Sequence, residues 1–95
     1  MRINEEIDDI ELIEILLRVK MKHENVLNIV RSVTKLENVA EGLKYMKVGA
    51  ESLTGLENTR NVVRAEIEAK KRYLLSETAM SFEELKQVYR ELGEL

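Results

Sequence analysis

Residues 12–43 read LIEILLRVKMKHENVLNIVRSVTKLENVAEGL, and the spacing of apolar residues in this stretch decides the fold class. Leu12, Ile15, Val19, Val26, Ile29, Val33, Leu36, Ala40 and Leu43 follow one another in steps of three and four, with one interruption at Lys22. That spacing lays a continuous apolar stripe along a helix, or along two helices in series.

The flanking sequence extends the helical reading. Acids Glu5, Glu6, Asp8 and Asp9 follow Asn4, a residue suited to cap a helix, while Arg18, Lys20 and Lys22 gather some fifteen residues later. Acids at the start and bases at the end match the helix dipole, so a first helix is expected from about Asn4 to Lys22. Its apolar residues form two stripes. Ile3, Ile7, Ile10, Ile13, Leu17 and Met21 make one, and Leu12, Ile15, Leu16 and Val19 make another on roughly the opposite side. A helix with two apolar sides calls for neighbours on both, which places it centrally in a bundle or between its own bundle and another subunit.

The polar group Lys20 to Asn25 favours a break, because Lys22 stands where the stripe calls for an apolar residue. A second helix is then expected from about Val26 to Lys47, with a loop around Lys47 to Ser52 and Gly49 as the stop signal. Thr54 followed by Glu57 reads as a capping box opening a third helix that runs to about Ser76. Ser81 followed by Glu84 opens a short fourth helix that Gly93 ends, with Phe82, Leu85, Val88 or Tyr89, and Leu92 on its apolar face. One echo, Ser32 to Asn38 against Ser52 to Asn58, matches at five of seven positions and stops there. The expected fold is all-α: one domain over residues 1–95, a bundle of three long helices and one short one, completed by self-association.

Composition limits the chemistry. The 95 residues contain no cysteine and no proline, so disulfides, thiolate metal sites and cysteine nucleophiles are excluded. No apolar run approaches the roughly 18 residues of a membrane span. The acidic start lacks a signal-peptide pattern, which makes the cytoplasm the expected location. A net charge of −3 opposes binding to duplex DNA or an anionic membrane.

Few residues carry chemistry. Glu11 and Glu14 present two carboxylates at helical spacing, but no Glu-x-x-His elsewhere completes a metal set, so dipole complementarity accounts for them. His23 is the only histidine and lies in a polar stretch, where a solvent-facing side chain is the expected state. The four glycines are scattered and form no phosphate-binding loop. No catalytic site, metal, cofactor or small-molecule substrate is expected.

Two functions remain. The favoured one is a non-catalytic protein–protein interaction module that pairs with itself, most simply as a dimer, and serves as an adaptor, assembly or regulatory factor. Its expected interface is Leu12, Ile15, Val19, Val26, Ile29, Val33 and Leu36. The alternative is a small nucleic-acid-binding regulator that uses Arg60, Arg64, Lys70, Lys71 and Arg72. Against it, Arg64 with Glu68 and Glu66 with Lys70 have the spacing of ordinary ion pairs along a solvated helix face.

Overall fold

The computed structural model of the protein describes residues 9–95. Three α-helices follow in order: α1 (Asp9–Tyr45), α2 (Leu53–Thr78) and α3 (Phe82–Glu91), with a 3-10 turn at Ala50–Ser52 leading into α2. No strand occurs among the described residues. The fold is all-α. The expected cap at Asn4 and the residues Ile3, Glu5, Glu6, Ile7 and Asp8 lie outside the described residues.

The break expected at Lys20 to Asn25 does not occur, and α1 runs unbroken for 37 residues. Neither proline nor glycine interrupts that segment, and its polar side chains find partners on helical geometry. Lys20 pairs with Glu24 one turn on, at 3.9 Å, and Lys22 reaches Glu77 of α2, also at 3.9 Å. The His23 ring lies 5.6 Å from that of Tyr89 on α3. Lys22, which interrupts the apolar stripe, lies where the end of α2 brings the Glu77 carboxylate near it. The bundle thus has two long helices and a short one, rather than three long and a short.

α2 turns back along α1. Its near end is tied by Arg60, whose Nε and Nη2 donate to the Leu43 carbonyl oxygen at 3.0 and 2.7 Å. Those carbonyls at the end of α1 have no partner within the helix, and a cation is favoured there. The far end of α2 is marked by the Lys22–Glu77 pair. At 1.5 Å per residue, 26 residues span about 39 Å and 37 span about 55 Å. α2 therefore stops short, and the molecule is elongated, 70 × 23 × 18 Å.

The capping box expected at Thr54 and Glu57 is not formed. The 3-10 turn feeds straight into the helix, so Ser52 occupies the cap position in helical conformation and Thr54 is already in the first turn. The cap at Ser81 is formed: its Oγ accepts from the Glu84 N–H at 3.2 Å. α2 ends at Ala79, the one non-glycine described residue with positive φ, at 58°. The Thr78 hydroxyl braces that turn by donating to the Leu74 carbonyl and accepting from the Met80 N–H. α3 ends at Gly93, with φ of 76°. There Glu94 N–H bonds the Tyr89 carbonyl and Gly93 N–H bonds that of Arg90, the paired bonds of a left-handed helix stop.

The core lies where all three helices meet. Val26, Leu27, Val30 and Val33 of α1 pack with Ile67 and Leu74 of α2 and with Phe82, Leu85 and Tyr89 of α3. On α3, Tyr89 rather than Val88 takes the buried position, and Leu92 stays exposed.

Candidate functional site

The apolar stripe of α1 divides at Val26. Beyond it, Val26 and Val33 are buried in the chain's own core, and Ile29 and Leu36 are packed against its edge. These four members of the expected self-association interface are used inside the protomer. Before it, Leu12, Ile15 and Val19 are exposed, at 36%, 44% and 62%.

The second stripe is open as well. Ile10, Ile13, Leu17 and Met21 are each more than half exposed, and so is Leu16. Every residue from Asp9 to Asn25 is exposed. The start of α1 is thus an arm that projects past the end of α2, rather than the centre of a bundle. The expectation of a central first helix fails for these residues because, among the described residues, no second helix is long enough to cover them.

The arm carries eight large apolar side chains in about 17 Å of helix, from Ile10 to Met21. Isolated exposed apolar residues are ordinary, but a helix apolar on two sides over three turns marks a contact surface. Its charges are segregated. Asp9, Glu11 and Glu14 lie at the tip, and Arg18, Lys20 and Lys22 at the base. Glu14 and Arg18 approach to 4.0 Å with both side chains largely in solvent, so this pair adds little stability.

The structure gives the basic segment other work. Arg60 holds the end of α1. Lys70 pairs with Glu66 at 3.1 Å. Lys71 lies 3.5 Å from Glu37 of α1 and 3.2 Å from Glu83 of α3. Its ammonium also sits 5.2 Å from the centre of the Phe82 ring, with Lys86 on the same ring at 5.6 Å. Burial pulls the Lys71 pKa down, but the hydrogen bond to Glu83 and the charges of Glu83 and Glu37 outweigh it, and the net shift is upward. Glu83 is held below the usual carboxylate range, by a backbone hydrogen bond first and by Lys71 next. Three of the five expected phosphate contacts are thus engaged within the protomer, while Arg64 and Arg72 are exposed.

A groove of 590 Å³ runs between α1 and α2 beside Arg64. Glu37, Glu41 and Lys44 of α1 and Arg60, Arg64 and Glu68 of α2 line it, so neither sign of charge dominates. His23 is exposed beside Tyr89, whose pKa is pushed up by burial and then by the Glu94 charge. Among the described residues no group of three or more His, Asp or Glu side chains converges on a point where a metal could sit. No helix among them is long and apolar enough to cross a membrane.

The Lys71 node and the Arg60 cap were not readable from the sequence. Both join residues on different helices, at separations that local spacing does not report. No protein-family model matches the chain, and no curated protein or solved structure is similar to it.

Proposed function

We propose that the protein is a small non-catalytic interaction module that self-associates through the arm at the start of α1, and that this assembly serves an adaptor or regulatory role. The observation that carries the reading is the exposure of Leu12, Ile15, Leu16 and Val19 on the face that continues into the chain's own core. Moving each such side chain from water into an interface contributes about 1.5–3 kcal/mol before the costs of association. A pair of copies brings eight such side chains together, four from each, and their combined burial is what opposes the cost of association.

The test is the solution mass by light scattering over a hundredfold range of concentration. A dimeric mass is expected, and Ile15→Asp should lower it to that of a protomer without changing the helical signal. A protomer mass for the unsubstituted protein at every concentration would overturn the reading.

A further inference from the structure

We infer that the Leu12–Val19 face is covered by the same face of a second copy lying antiparallel to it, a geometry that rests on the proposed self-association. Two independent observations point to it.

The first is steric. Leu12 and Val30 are eighteen residues apart on one unbroken helix, as are Ile15 and Val33, which is five full turns. Each pair therefore points the same way, and Val30 and Val33 point into the core formed with α2 and α3. A second copy laid parallel on this face would run its own α1 into the space that α2 and α3 fill. Laid antiparallel, it brings the described part of its arm, residues 9–22, only against the same residues of the first copy. Its body then stands beyond the tip, and its own tip arrives near Lys22, where α2 ends.

The second is electrostatic. A parallel pair would set Asp9, Glu11 and Glu14 against the same acids, and the three bases against themselves. An antiparallel pair sets the acidic tip of each arm against the bases Arg18, Lys20 and Lys22 of the other. The contacts of these bases with Glu14, Glu24 and Glu77 of their own copy are long, at 3.9–4.0 Å, and largely in solvent, so they are free to re-pair and favour this orientation. One register satisfies both patterns, with the two-fold axis passing between Ile15 and Leu16. Leu12 then faces Val19 of the second copy, and Ile15 faces its Leu16. Glu11 falls between Arg18 and Lys22 of that copy, and Asp9 beside its Lys20. The stripe of Ile10, Ile13, Leu17 and Met21 lies on the outside of this pair.

The chain has no cysteine, so introduced thiols report the geometry directly. Leu12→Cys and Val19→Cys lie in the exposed arm, away from the core, and should both fold. Antiparallel pairing predicts a disulfide-linked dimer on mild oxidation only when the two variants are co-expressed. Alone, each variant places its two thiols seven residues apart, about 10 Å along the axis, beyond the roughly 4.4–6.8 Å that a disulfide spans between Cα atoms. Linkage of either variant with itself would overturn the antiparallel geometry. So would a dimeric mass with no linkage in any combination, which would put the contact on the outer stripe. A protomer mass for the unsubstituted protein would overturn self-association itself, and the light-scattering measurement separates that failure from the other two.

Discussion

The Lys71 ammonium of α2 lies 3.5 Å from the Glu37 carboxylate of α1, and the third helix packs beside this pair. Glu83 joins Lys71 from α3 at 3.2 Å, and Lys86 joins Glu37 at 3.8 Å. The Phe82 ring lies within reach of both ammonium groups. Phe82 itself is buried against the core, so the charges close over an apolar anchor instead of replacing one.

Lys71→Met keeps the aliphatic length and removes the charge. It should cost about 1 kcal/mol, the sum of weak ion pairs and a cation–π contact in partly solvated surroundings. Chemical denaturation measures it. An unchanged midpoint would show that Phe82 docks α3 without electrostatic help.

The same node gives a pH dependence with a definite sign. The folded-state pKa of Glu83 lies below its ordinary value of 4.5, so its stabilisation is complete above that pH and is lost as pH falls through the folded value. That of Lys71 lies above its ordinary 10.5, so its contribution is complete below that pH and is lost as pH rises further. Thermal melts from pH 7 down to pH 3 should show declining stability, with a shallower decline in Lys71→Met, which removes one of the interactions that hold Glu83 ionised.

Arg60→Met should destabilise the protein by about 1–2 kcal/mol, because the last carbonyls of α1 lose a charged donor. Arg60→Lys should recover only part of this, since one ammonium cannot reproduce the two bonds that the guanidinium makes to Leu43. Urea unfolding of the three proteins checks the order.

Two backbone positions are open to improvement. Ala79 holds a left-handed conformation that costs an L-residue about 1–2 kcal/mol, so Ala79→Gly should raise stability by about 1 kcal/mol. Gly42 lies inside α1 with open space where a Cβ would stand, so Gly42→Ala should add about 1 kcal/mol. Each corresponds to about 4–8 °C in melting temperature for a domain of this size, measurable by circular dichroism.

A charge on the arm should separate folding from assembly. Ile15→Asp and Val30→Asp place the same group on α1, one on the exposed arm and the other in the core with no solvent exposure. The first should leave the melting of the protomer core unchanged. The second should unfold it, because a buried carboxylate without a partner costs more than a small domain can absorb. Equal effects would mean that the arm is part of the protomer core.

The sequence by itself determined the helical class, the two apolar stripes at the start of α1, the cap at Ser81 and the stop at Gly93. Each of these is a local matter, set by residue type and by spacing within one or two turns. Local spacing left open whether α1 breaks at Lys20 to Asn25, and the folded chain shows that it continues, with Lys22 beside Glu77 of α2 and His23 beside Tyr89 of α3. Tertiary structure also divided the Leu12-to-Leu43 stripe into a buried part and an open one. Periodicity shows which face of a helix is apolar, but how much of that face is covered depends on where α2 begins and how far it reaches. The same holds for Arg60 and Lys71. Along the sequence they read as members of a basic surface, and only the folded neighbours turn one into a helix cap and the other into the joint of three helices.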